Sequence, residues 1–241
     1  MAEADPISGP GDAGGPVSAA GNNLALRIIS AAVLAPVAVY AAYLGGWPFA
    51  VFWTLAAAAV LWEWMMLVTG PGWIIAGIGY AGIMLLAPIL LRADQAYGFF
   101  AIVLLFAVVW TTDVLGYFAG RAFGGPKLLP AISPKKTWSG AIAGALGAMV
   151  VAVPVMEQFG AFNVAAIAMI ALLLSVAAQL GDLLESWVKR QFGAKDASHL
   201  IPGHGGVMDR LDGFWAAALV GCVIGLLRGG FDGAARGLLV W

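Results

Sequence analysis

Seven stretches of this 241-residue chain run 16 to 21 residues with at most one charge apiece, and nothing else constrains the fold so strongly. They cover residues 27–44, 48–68, 73–91, 97–114, 138–156, 161–181 and 213–228. A helix of about 20 mostly apolar residues crosses the hydrocarbon of a bilayer. In lipid, a helix also satisfies its own backbone polar groups, which have no water to turn to. The composition agrees: 62% of residues are hydrophobic and 10% charged, where a soluble domain has about a quarter charged. Such a chain cannot cover a water-facing surface. The expectation is an all-α, polytopic integral membrane bundle of about seven transmembrane helices.

The first 23 residues, MAEADPISGPGDAGGPVSAAGNN, are rich in Gly, Pro and Ala and are acidic. They lack the basic start and apolar core of a signal peptide, and their composition reads as a disordered tail. Residues 24–241 then form one transmembrane domain. Gly46-Trp47-Pro48 and Gly70-Pro71-Gly72 punctuate the first turns. Trp47, Trp73 and Trp138, near span ends, read as interfacial anchors. The one cysteine, Cys222, forms no internal disulfide. Gly116/Gly120/Gly124 and Gly140/Gly144 have the spacing that lets helices pack closely in lipid. Packing inside one bundle is the plainer use of that spacing, and a homodimer face is the alternative.

Two long polar connections stand out, residues 115–136 and 182–212. The first carries Arg121, Lys127, Lys135 and Lys136 and no acid. The second carries Lys189, Arg190, Lys195 and Arg210 among acids. Two spans separate them, so they lie on the same side, and the positive-inside rule puts both in the cytoplasm. The N-terminus counts back to that side as well. The C-terminus counts to the other side, where Arg228 and Arg236 fit poorly. Either the tail re-enters or the count is off by one span.

The chemistry concentrates in these connections. If the sixth span continues as a helix, Asp182, Ser186, Lys189 and Arg190 share one face. A carboxylate at a membrane boundary beside two cations points to ligand binding, against the plain reading of a snorkelling helix end. Pro202-Gly203-His204-Gly205-Gly206 then precedes Asp209-Arg210-Leu211-Asp212. Gly-rich backbone offers N–H groups to phosphate oxygens, and carboxylates beside it suit Mg²⁺, which keeps substrate phosphates among its ligands. His204 is a candidate general base, phosphate donor or loop-ordering residue, whereas His199 reads as bland. In Ser133-Pro134-Lys135-Lys136-Thr137, Thr137 is placed to cap the next helix. The two lysines beside that helix N-terminus make a phosphate site or plain positive-inside anchors. Asp113, inside the fourth span with Tyr117 and Arg121 following, is a functional candidate that binds metal or pairs with Arg121. Glu63, inside the second span, either lines the same cavity or serves structural pairing.

These residues together resemble a known family. The run Ser186-x2-Lys189-Arg190-x4-Lys195-Asp196-x-Ser198-x2-Ile201-Pro202-Gly203-His204-Gly205-Gly206-x2-Asp209-Arg210-x-Asp212 is similar to the signature of phosphatidate cytidylyltransferases. Asp113-x2-Gly116-Tyr117-x2-Gly120-Arg121 and Ser133-Pro134-Lys135-Lys136-Thr137 extend the likeness over roughly the C-terminal half. Ser139 departs from it, standing where many members carry Glu.

The resemblance implies transfer of a cytidylyl group from CTP to phosphatidic acid at a bacterial-type inner membrane, facing the cytoplasm, with one or two Mg²⁺ ions. It implies Asp182 and Asp209 as metal ligands and Lys189, Arg190 and Arg210 as neutralisers of the triphosphate. Lys135, Lys136, Thr137, Ser186, His204, Gly205, Gly206, Asp113 and Asp212 would complete the substrate site. Both substrates are polyanions and the bilayer is the other partner, with no nucleic acid expected. Rival readings are a CTP-dependent transferase acting on a polyprenol or ether lipid, and a transporter. The transporter fits poorly, because the polar residues cluster at one face and not at the midplane.

Overall fold

The computed structural model describes residues 17–160, 162–198, 200 and 205–241, with backbone alone for 17–29 and 31. Helices make the fold: α1 (Val17–Leu44), α2 (Gly46–Leu67), α3 (Pro71–Ala93), α4 (Gly98–Phe123), α5 (Trp138–Glu157), α6 (Val164–Gln191), α7 (Met208–Leu211), α8 (Phe214–Gly229) and α9 (Ala234–Leu239). Five of them, α2 to α6, are long and apolar enough to cross a membrane. The first expected span lies within the 28-residue α1, and the seventh corresponds to the shorter, 16-residue α8. α1 takes in residues 17–23, expected in the tail; residues 1–16 lie outside the described part.

The Gly-Pro-Gly turn appears where the sequence puts it. Gly70 takes a positive φ of 97° before Pro71 opens α3, a position where proline loses no intrahelical bond. Trp47 and Trp138 stand at helix starts and are exposed, as interfacial anchors would be.

Two sequence expectations change, and a question left open about the tail is answered. Residues 115–123 are not loop, because α4 runs on to Phe123. Hydropathy reads Asp113 as the end of a span, but no proline or turn follows it, and a polar residue facing a cavity does not end a helix. The connection that follows is a β-hairpin, β1 (Lys127–Leu129) against β2 (Ser133–Thr137), in register Lys127↔Thr137 and Leu129↔Ser133. Strands this short carry too few alternations to show as a period. The tail does turn back: α9 packs on α8, with the backbones at Gly225 and Ala234 and at Gly229 and Gly237 in close contact. Arg228 donates to the Gly237 and Val240 carbonyls and lies over the Trp241 ring, so the tail itself satisfies its charge.

The small-residue spacing is used between α4 and α5. A Cβ at Gly140 would fall 2.5 Å from the Gly116 carbonyl, and one at Gly144 2.7 Å from that of Thr112. These backbones touch because neither residue has a side chain. Aromatic stacking ties the rest of the bundle. Trp53 of α2 stacks on Phe214 of α8 at 4.9 Å, and Trp64 of α2 stacks on Tyr80 of α3, which meets Trp215 edge-on at 4.8 Å.

Candidate active site

A cavity of about 440 Å³ opens between α4, the hairpin, the start of α5 and α6. Each wall has a local reason. α4 presents Asp113, Tyr117 and Arg121, spaced four residues apart on one face. The hairpin delivers Lys127, Lys135 and Lys136. Thr137 caps α5 as expected, its hydroxyl accepting from the Gly140 amide at 3.2 Å. The Ser139 hydroxyl donates to the Gly124 carbonyl, tying the start of α5 to the end of α4. From α6 comes Asp182, which forms an ion pair with Lys136 and accepts from the Ser186 hydroxyl at 3.3 Å. Three of the expected residues, Asp113, Lys136 and Asp182, thus converge from three elements. Asp113 lies within electrostatic reach of Asp182, Lys136 and Arg210. Arg121 donates to the Tyr117 hydroxyl at 3.0 Å.

Lys189 and Asp209 lie elsewhere. α6 continues to Gln191 as the sequence suggests, but the Lys189 ammonium is buried and bridges Glu185 at 3.0 Å and Asp209 at 2.6 Å. Glu185 in turn accepts from Tyr80 at 3.1 Å. The other Asp209 oxygen accepts from the amides of Ala197 at 2.9 Å and Gly206 at 2.8 Å. Arg190 is exposed and donates to the Ala194 carbonyl at 2.7 Å. Arg210 is exposed. His204, with His199, Ile201, Pro202 and Gly203, lies outside the described residues. Two participants were not singled out from sequence as site residues. Gln179 lines the cavity one turn before Asp182, a spacing that could have exposed it. Glu185 stands one turn before Lys189, a pairing the helix spacing could have shown, whereas its bond from Tyr80 had no sequence signal.

Asp212 accepts from the Gly213 amide at 2.7 Å. Burial pushes its carboxyl well above the usual carboxylate range, and the neighbouring Asp182, Glu185 and Asp113 push it further. The two carboxylates of the cavity wall, Asp113 and Asp182, suit a hard divalent cation. Among the described residues no three acidic, His or Cys side chains form a ready cage. Mg²⁺ needs none, since one or two carboxylates suffice when phosphates and water complete its shell.

Comparison with known proteins meets this geometry. A sequence model described as "Cytidylyltransferase family" matches residues 70–227, which hold the cavity, the hairpin and the whole signature. The chain belongs to the cytidylyltransferase family. Among its relatives, the phosphatidate cytidylyltransferase of Brucella abortus (strain 2308) is 42% identical over 246 aligned residues, covering 82% of this chain and 91% of the relative. That of Rickettsia conorii is 35% identical over 207 residues, covering 83% and 90%. That of Rickettsia bellii is 38% identical over 199 residues, covering 79% and 86%. In this cytidylyltransferase, then, the shared region contains both the cation-lined cavity and the carboxylates beside it, held at the ends of membrane helices.

Proposed function

We propose that this membrane cytidylyltransferase transfers the cytidylyl group of CTP to phosphatidic acid, giving CDP-diacylglycerol and pyrophosphate. The observation that carries the reading is the cavity where Lys127, Lys135, Lys136 and Arg121 surround Asp113 and Asp182 at the ends of apolar helices. A soluble polyanion enters such a site from water, and a lipid phosphate reaches it along the helices. The match to relatives named phosphatidate cytidylyltransferase over most of the chain supports the same substrates.

In the reaction, a phosphatidate oxygen attacks the α-phosphorus of CTP in line. The new P–O bond forms as the α–β bridge breaks and pyrophosphate leaves. Such transfers depend mainly on positioning and charge neutralisation. Lys135 and Lys127 neutralise phosphate oxygens, and Lys136 holds Asp182 in place until substrate competes for its ammonium. Phosphatidate is already ionised at neutral pH, so no dedicated base is needed. Mg²⁺, one or two ions, would be held by Asp182 or Asp113 of the cavity wall, with phosphate oxygens and water completing the shell. Asp209, the other ligand expected from sequence, would join only through the oxygen that now accepts from Lys189. The bound ion supplies charge neutralisation on the phosphates. The two basic connections, read with the positive-inside rule, support a site on the cytoplasmic side of a bacterial inner membrane.

Purified protein incubated with labelled CTP, phosphatidate and Mg²⁺ should move label into the lipid phase. Asp182→Asn should lower that turnover about a hundredfold or more while the protein still inserts and folds. Label passing instead to a polyprenyl phosphate or an ether-lipid phosphate in direct competition would reassign the substrate.

A further inference from the structure

Glu63 sits on α2, seven residues before the segment that matches the family begins, and it is fully buried. Its partners come from far along the chain. One carboxylate oxygen accepts from the Ser198 hydroxyl at 2.6 Å and the Val207 amide at 2.9 Å, and the other accepts from the Met208 amide at 2.7 Å. Among the described residues it forms no ion pair. A buried carboxylate is tolerated only where hydrogen bonds replace its water, and here three do.

The pattern of those bonds interleaves with that of Asp209. Asp209 takes the amides of Ala197 and Gly206; Glu63 takes Ser198, Val207 and Met208. Both carboxylates therefore tie residues 197–198 of the signature segment to residues 206–208. α7 follows at once and carries Arg210, with Asp212 just beyond it. The Asp212 backbone lies against α6 next to the cavity's Asp182: a Cβ at Gly181 would fall 2.8 Å from the Asp212 carbonyl oxygen.

The same contacts account for the paired glycines. A Cβ at Gly206 would fall 2.7 Å from both Glu63 oxygens, and one at Gly205, where φ is +84°, would fall 2.9 Å from an Asp209 oxygen. The sequence alone reads these glycines as phosphate-binding backbone. In the structure the space beside them is already filled by the protein's own carboxylates.

We infer that Glu63 is a positioning residue for the transfer: clamping Ser198 to Val207 and Met208, it sets α7 and so places Asp212 against α6 beside Asp182, and Gly206 is glycine to admit its carboxylate.

The test uses the purified full chain, with Glu63→Gln, Glu63→Asp, Gly206→Ala and the double variant Glu63→Asp/Gly206→Ala. Glu63→Gln should lower kcat about tenfold and raise the apparent KM for Mg²⁺ several-fold, leaving the KM for phosphatidate unchanged. A loss of kcat in proportion to folded protein, with every KM unchanged, means a merely structural role and overturns the inference. The second measurement is a cycle. Gly206→Ala should be damaging, and shortening Glu63 by one methylene should restore about tenfold of the lost turnover, because the shorter carboxylate retreats from the new methyl. Losses that simply add, as they would if Gly206 served only phosphate, overturn it too. The inference uses the proposed transfer only as a readout. If wild-type protein moves no label, that function has failed. The same cycle read in melting temperature then still tests the clamp, and additive shifts there refute it.

Discussion

Lys135, Lys136 and Lys189 are the same residue type in the same signature-bearing half, yet their surroundings separate them. Lys135 is exposed at the cavity, Lys136 is paired with Asp182, and Lys189 is 7% exposed between Glu185 and Asp209. Removing Lys189 would leave two carboxylates buried without their cation, a change worth about 3–5 kcal/mol. Lys189→Met should therefore lower unfolding stability in detergent by about that amount. Lys135→Ala should leave stability unchanged and raise the KM for CTP or phosphatidate about tenfold. Equal destabilisation by both variants would refute the distinction. The sequence offers all three lysines as phosphate cations. It identifies the residue types the chemistry needs, but the partner of Lys136 lies 46 positions away, and Lys189 is held by Asp209, 20 positions away, as well as by Glu185 one turn before it. Only the fold says which ammonium is already occupied.

Among the elements, the α4–α5 pair decides whether the site exists. Asp113 rides on α4, and Thr137, which caps α5, follows directly on Lys136. The separation of the two helices is set by Gly140, where a Cβ would meet the Gly116 carbonyl at 2.5 Å and the Gly120 Cα at 3.3 Å. Both obstacles are backbone, so neither can swing aside. Gly140→Ala should push the helices apart, lowering the melting temperature and cutting turnover about tenfold or more. An alanine variant with wild-type melting and activity would show that α4 and α5 need no such contact. The spacing of these glycines was legible in the sequence, and so was the Thr137 cap. The hairpin between the helices was not, since its strands are three and five residues long. The reach of α4 to Phe123 was also hidden, because hydropathy falls at Asp113 while the helix itself goes on.

At the scale of the whole molecule, the apolar stretches announce a helical membrane bundle, and five helices meet the length for crossing. Of the remaining stretches, α8 has only 16 residues, and α9 folds back on it, so counting spans alone does not fix the side on which the tail ends. The relation between the two basic connections is firmer, because the site itself demands it. Lys136 from the first pairs with Asp182 at the start of the second, so both connections must open at the same membrane face whatever the total count. Single cysteines at Lys127 and Lys195, both exposed, test this with a membrane-impermeant maleimide. Native Cys222 is buried and can be replaced by alanine to remove background. Both engineered positions should label in inside-out vesicles and stay unlabelled in intact cells, as positive loops retained in the cytoplasm would. Labelling of both from outside would reverse the orientation and leave the site intact. Labelling of one from each side would contradict the Lys136–Asp182 pair, and with it the cavity on which the transfer depends.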